Sequence, residues 1–227
     1  LNAWRFQLRS ALVLNVARFK VGWSRCSPLN AALDLEGNMA ISSSNFNTVV
    51  YLSDVNTQCN LFKRSFEQLE IAAEHWINIS NGIDDGTKFS PLNIISECTV
   101  CLSSMSAIKR MLNADKPPKA QQRSITLFEL LGKPSLDNIF SKSVRNSWEH
   151  HDERLDKVLR DYQAGRGVSE IYVSANCPKK GTLILKRFNP NVMSIHFLDS
   201  VVELKPCLEE INQLRGAIDA TIKGLHR

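Results

Sequence analysis

The sequence predicts a mainly α protein: an up-and-down helical bundle with a small C-terminal antiparallel β-meander and a final helix. Three observations predict it. Apolar residues recur at helical spacing from Phe6 to Leu159. Between Ile171 and Phe197 the period drops to two, and from Val202 to Ile218 helical spacing returns.

Trp4 to Trp23 carries Phe6, Leu8, Leu12, Val16 and Phe19 at helical spacing and predicts a first helix. The Ser-, Asn- and Gly-rich stretch 24–45 predicts a connection with little regular structure. From Phe46 to Ile79 the apolar positions (Leu52, Val55, Phe62, Phe66, Leu69, Trp76) give the strongest helical pattern in the chain, as one long helix or two. Asn81-Gly82 and Asp84-Asp85-Gly86 end it. A further helix runs from Ser90, a good N-cap with Pro91 at the first helical position, to Leu112. Residues 113–124 contain Pro117-Pro118 and several charges and read as an exposed loop. Ile125 to Leu131 forms a short helix before Gly132-Lys133-Pro134. Another helix starts near Ser135 or Asp137 and reaches Tyr162, stopped by Gly165 and Gly167.

Ile171 and Val173, then Leu183 and Leu185, then Val192 to Phe197 alternate with polar neighbours and predict three antiparallel strands, with a turn at Asn189-Pro190-Asn191. Asp199 or Ser200 leads into the last helix. The expected organisation is an N-terminal helix and loop packed on the bundle (1–45), the bundle itself (46–165), and the meander with its final helix (166–227), integral to the same domain.

A chain of 227 residues with 43% hydrophobic and 22% charged residues buries a real core, which excludes disordered and collagen-like classes. The longest apolar run near the N-terminus, Ala11 to Val16, is far short of the roughly 20 residues that span a bilayer. No membrane association is expected, and with no cleavable signal pattern the expected location is cytoplasmic. The net charge of +5 permits an acidic partner. Its basic residues form short clusters at Lys109–Arg110, Lys116–Lys119–Arg123, Lys179–Lys180 and Lys186–Arg187, which read first as solvated surface and second as nucleic-acid contacts. Of the six cysteines, Cys98 and Cys101 form a C-x-x-C. Both fall on the apolar stripe with Ile94, Ile95, Leu102 and Met105, and no second pair completes a tetrahedral zinc site. They read as buried structural thiols.

Residues 144–156 carry the most chemistry. At about 100° per residue, Val144, Trp148, His151, Leu155, Val158 and Leu159 share a core-facing stripe, while Asn146 and His150 share a separate polar edge beside Arg145. A fixed cation, an amide and an imidazole that titrates near neutrality can hold a phosphate and move protons beside it. The plainer reading makes Arg145–Glu149 and Asp152–Asp156 the charged flank of an amphipathic helix. No metal site is expected from Glu149, His150, His151 and Asp152, because adjacent helical residues point apart.

A helical bundle whose late helix carries Arg145-Asn146-x-x-x-His150 resembles the HEPN superfamily, whose motif is Arg, four to six residues, then His; Arg145 with His151 fits the five-residue form. The resemblance covers about Phe46 to Tyr162. It implies metal-independent RNA cleavage without a cofactor, at a site formed where two copies of the motif meet in a homodimer. His150 (or, as second choice, His151) would serve as general acid or base, Arg145 would stabilise charge on the phosphate, and Asn146 would position it. Arg154, Lys179 and Lys180 are the expected nucleic-acid contacts. The implied partners are RNA or a nucleotide and, in toxin members, an antitoxin protein. Glu149, Asp152 and Glu153 depart from what a polyanion site needs.

Overall fold

The computed structural model describes residues 43–84, 86, 90–142, 151–160, 167–174, 182–198 and 200–225. All of them belong to the unit Met39–Arg227. The expected N-terminal helix and nearly all of its connecting loop lie outside the described residues.

Helix α1 runs unbroken from Ser43 to Ser80, 38 residues with no Gly or Pro, so nothing interrupts its hydrogen bonds. It therefore begins inside the stretch expected to be irregular. Leu52, Val55, Cys59, Phe62, Phe66 and Leu69 repeat every three or four residues and form one buried stripe. The helix ends as its glycine dictates. Gly82 has φ +78°, its N–H donates to the Ile79 carbonyl, and the Ile83 N–H donates back to Asn78. This paired closure of the last turn needs a left-handed residue, which glycine adopts without a Cβ penalty.

Helix α2 spans Pro91–Leu112, with Ser90 Oγ accepting the Asn93 N–H at 3.2 Å. It buries Ile94, Cys98, Cys101, Leu102, Met105 and Ile108 along α1. Helix α3 covers Pro118–Leu130, which corrects the expected loop. Pro118 stands at the first helical turn, where a missing N–H costs nothing and the ring presets φ. The residues that suggested a loop thus start a helix. Gly132, at φ +75°, closes α3 as Gly82 closes α1, with Lys133 N–H reaching Phe128 O.

Residues 133–141 are irregular, with one turn at 137–140, rather than the start of the next helix. Ser135 bonds the Asp137 side chain, and the backbone N–H groups of Asn138 and Ile139 point to the carboxylate of Glu210, each at 2.9 Å. With those donors committed to a distant acceptor, the chain forms one local turn and buries Leu136 and Ile139. Helix α4, His151–Arg160, follows. Its expected core stripe is only partly realised: Leu155 and Val158 are half-buried, and Leu159 is 48% exposed.

The sheet is the largest correction. It has four strands, β1 Gly167–Val173, β2 Thr182–Asn189, β3 Ser194–Phe197 and β4 Ser200–Glu203, in the order β1-β2-β3-β4. β1 pairs parallel to β2, and only β2–β3 and β3–β4 are antiparallel. Alternation marks a strand without giving its direction. Parallel pairs usually need a crossover of about a dozen or more residues, longer than the interval from Val173 to Thr182. Ser200–Glu203 was expected to open the last helix and instead forms β4. Its alternating burial, Ser200 and Val202 inward with Val201 and Glu203 outward, is a strand pattern. Helix α5 then spans Leu204–Leu225 and packs on α1 through Cys207, Ile211, Leu214 and Ile218. Phe188 and Ile195 from the inner face of the sheet, with Met193 from the turn between β2 and β3, complete the core. The described residues are mostly helical, with a small mixed sheet and a C-terminal helix.

The C-x-x-C thiols lie where the apolar stripe put them. Cys98 and Cys101 are buried, and burial raises both thiols well above the ordinary range. Cys59 and Cys207 are likewise pushed up to about 12 by burial. A thiol with so little thiolate is a poor nucleophile and a poor metal ligand. In a Cys26→Ser/Cys177→Ser double variant, the four remaining thiols are therefore expected to resist a disulfide-exchange reagent at pH 8 until the chain is unfolded. Rapid labelling of the native chain is the contrary result.

Candidate anion-binding site

Arg145, Asn146 and His150 lie outside the described residues, as do Lys179 and Lys180. His151 and Arg154 stand on α4, whose backbone is helical from His151. The acidic neighbours are exposed on that helix: Asp152, Glu153 and Asp156 all face solvent.

Two basic clusters that are separate in sequence come together elsewhere. Lys109 and Arg110 occupy the last turn of α2. Lys116 precedes Pro117, and Arg123 lies in the second turn of α3. The link folds back so that all four line one cavity of about 490 Å³, together with Ser106, Asn113 and Asp115. Four cations against one carboxylate make its wall strongly positive. Like charges gathered at one place repel one another unless an anion sits among them, and an anion there gains from all of them.

Local hydrogen bonds fix this geometry. Asn113 N–H caps α2 on Lys109 O at 2.8 Å. Ser124 Oγ accepts the Ala114 N–H at 3.3 Å and donates to Gln121 O at 2.8 Å, while Gln121 Nε2 donates to Asp115 O. The turn between the helices is thus tied to α3 at two points. Lys109 Nζ donates to Phe140 O at 2.7 Å, which fixes its side chain. The Arg123 guanidinium lies 4.8 Å over the Tyr51 ring of α1.

Two polar atoms in this wall are left without protein partners. Ser106 is 3% exposed, and its Oγ makes no hydrogen bond. A helical serine ordinarily bonds the carbonyl four residues back, as Ser103 does to Thr99. Arg123 Nε is also buried and unpaired. Each buried polar group without a partner costs about 1–3 kcal/mol, and both of these residues belong to the lining of the basic cavity. Comparison with protein-family models, with curated proteins and with solved structures found no match. The reading therefore rests on geometry alone.

Both clusters stand in the sequence, but a loop over 113–124 leaves them unrelated. The useful signal was Pro118, whose place at a helix start implies a tight reversal after α2 and brings Arg123 back toward Arg110. Nothing in the sequence marked Ser106, because an unpaired hydroxyl is visible only in three dimensions.

A second polar cluster lies on the outer face of the sheet, where Tyr172, Arg187, His196 and Val201 form one cross-strand row. Arg187 Nη2 lies 2.9 Å from both ring nitrogens of His196, and Ser194 Oγ lies 2.9 Å from Nε2. The Arg187 guanidinium can only donate, so the ring nitrogen that it bonds is unprotonated and accepts. Burial, then the Arg187 charge, lowers the His196 pKa below 6.5. The sign follows. The unfolded chain takes up this proton more readily, so the contribution costs nothing above about pH 6.5. It destabilises the fold progressively as pH falls below that value, and levels off below the lowered native pKa. Replacing His196 with Gln is expected to flatten the fall in melting temperature between pH 7 and 5. An unchanged slope would assign that acid sensitivity to other groups.

Proposed function

We infer that the chain is a nucleic-acid-binding protein in which the cation-lined cavity at the α2–α3 link holds a phosphate of bound RNA. The observation that carries this reading is the convergence of Lys109, Arg110, Lys116 and Arg123 on one cavity beside the unpaired Ser106 hydroxyl. Phosphate contacts dominate nucleic-acid affinity, and arginine with its planar fork suits them. In this reading the helices form an up-and-down bundle of HEPN type, and the protein works as a cytoplasmic homodimer with RNA or a nucleotide as ligand. The exposed acids of α4 favour binding away from that helix, since they repel a polyanion.

A second reading keeps the fold and adds turnover. The sequence Arg145-Asn146-x-x-x-His150 runs directly into the helical backbone of α4. As a metal-independent endoribonuclease, His150 takes the proton of a ribose 2′-hydroxyl, the 2′-oxygen bonds to phosphorus, and the bond to the 5′-oxygen breaks. That leaving oxygen gains a proton from the protonated histidine of a second copy, and the products are a 2′,3′-cyclic phosphate and a 5′-hydroxyl. Arg145 stabilises the charge on the phosphate and Asn146 positions it. Many enzymes of this chemistry are toxins, for which an antitoxin protein would be the natural partner.

One set of measurements tests both. Labelled single-stranded RNA of mixed sequence is titrated with the wild type and with an Arg110→Glu/Lys116→Glu variant, in EDTA. Salt-sensitive binding that weakens at least about tenfold in the variant supports the phosphate site; equal binding by both proteins, or none by the wild type, overturns it. The same RNA is then incubated with wild type, His150→Ala and Arg145→Ala. Cleavage lost in both variants supports turnover, and cleavage that survives His150→Ala but not His151→Ala shifts the role to His151. RNA intact with all of them leaves the protein a binding module.

A further inference from the structure

The cationic cavity has a neighbour of opposite character. A second cavity of about 740 Å³ borders the α2–α3 link and shares Asn113 and Ala114 with the first. Its walls include Ile125, Phe128, Leu136 and Phe140. The Phe128 and Phe140 rings are tilted 50° to each other with centroids 5.8 Å apart. Ile125 is 51% exposed at its edge although it is a large aliphatic residue. The acids here are Glu129, which pairs with Lys133 at 3.2 Å, and Asp137, which accepts from Ser135. Two carboxylates against the one ammonium of Lys133 disfavour a phosphate, while the carboxylates offer hydrogen-bond acceptors to the edge of a base.

We propose that this second compartment takes an unstacked nucleobase of the strand whose phosphate occupies the cationic cavity, so that the protein selects single-stranded over duplex RNA. The proposal rests on the phosphate-binding reading above. Three features carry it beyond an unpartnered apolar face. The two compartments share Asn113 and Ala114 in their linings, so a ligand with a charged and an aromatic part that crosses those two residues reaches both. Lys109 belongs to the first cavity and bonds the carbonyl of Phe140, which lines the second, so the two walls are mechanically joined. The division of charge matches the division within a nucleotide. A base paired in a duplex cannot enter a side compartment without being flipped out, whereas a single strand presents its bases freely to aromatic side chains.

The test compares three labelled probes bearing equal numbers of phosphates: a single-stranded RNA, its abasic ribose-phosphate counterpart and the same RNA in duplex form. Wild type is expected to bind the single strand about tenfold more tightly than either other probe, the range that base stacking on aromatic residues gives. Ile125→Asn, at an exposed position, and Phe128→Leu, which keeps bulk but removes the aromatic face, should each shrink that preference toward one. Binding of the abasic strand should be unchanged in both. Arg110→Ala should weaken all three probes alike. Equal wild-type affinity for all three probes, with the Arg110→Ala effect retained, overturns the base compartment and leaves the phosphate site standing. Uniform weakening by Ile125→Asn and Phe128→Leu also overturns it. Absence of binding to any probe removes both readings together.

Discussion

Glu210→Ala is expected to lower the unfolding free energy by about 3 kcal/mol, among the largest losses available to a single polar substitution in this chain. The carboxylate is 7% exposed. It accepts the backbone N–H groups of Asn138 and Ile139 and the Asn138 side-chain amide, at 2.7–2.9 Å. Truncation leaves two backbone donors beside the buried Leu136 and Ile139 with nothing to bond. Each orphaned buried group costs about 1–3 kcal/mol, and the cavity left by the side chain adds to it. Glu210→Gln should fall between wild type and alanine, because its amide keeps one oxygen to accept but turns an NH₂ toward the donors. Urea denaturation reads this as a shift of midpoint at constant slope. A loss under about 1 kcal/mol for the alanine variant would mean that packing of Leu136 and Ile139, and not the carboxylate, holds the 136–140 turn against α5.

The second large effect concerns the ligand. Arg110→Ala and Lys116→Ala are each expected to weaken RNA binding about tenfold at low salt, and to reduce the slope of log K against log salt by about one. The slope is the more informative quantity. A residue that merely supports the fold weakens binding at every salt concentration alike, whereas a phosphate contact takes its released counterion with it. Lys63, exposed on α1 and paired with Glu67 at 4.0 Å, is the matched control. Its alanine variant should leave both affinity and slope within error. A slope that stays constant in the Arg110 and Lys116 variants, or falls equally for Lys63, would show attraction to the protein's overall charge rather than to this cavity.

How much of this was legible beforehand differs by level. The helices α1, α2 and α5 could be read because each carries a long apolar stripe, and because Gly82 and Ser90 mark ends that obey local rules. Burial of Cys98 and Cys101 followed from the same stripe. The direction of β1 was not legible, since alternation is identical in parallel and antiparallel strands. The turn at 136–140 is hidden for a non-local reason: its Asn138 donor is satisfied by a residue 72 positions later in the chain. The candidate site shows both cases at once. Its charged residues were visible as two clusters, but their meeting depends on where α3 starts. That start was hidden under a proline pair that resembled a loop.

Helix α1 also sets a timetable. It buries its stripe against α2 and α5, yet α5 begins at Leu204 while α1 ends at Ser80. At a synthesis rate of about 5–20 residues per second, α1 leaves the ribosome about 6–25 seconds before its last partner does. Throughout that interval one flank of a 38-residue helix lies uncovered. A nascent chain stalled before Leu204 should therefore recruit chaperones along α1, and release from them should coincide with the emergence of the final helix.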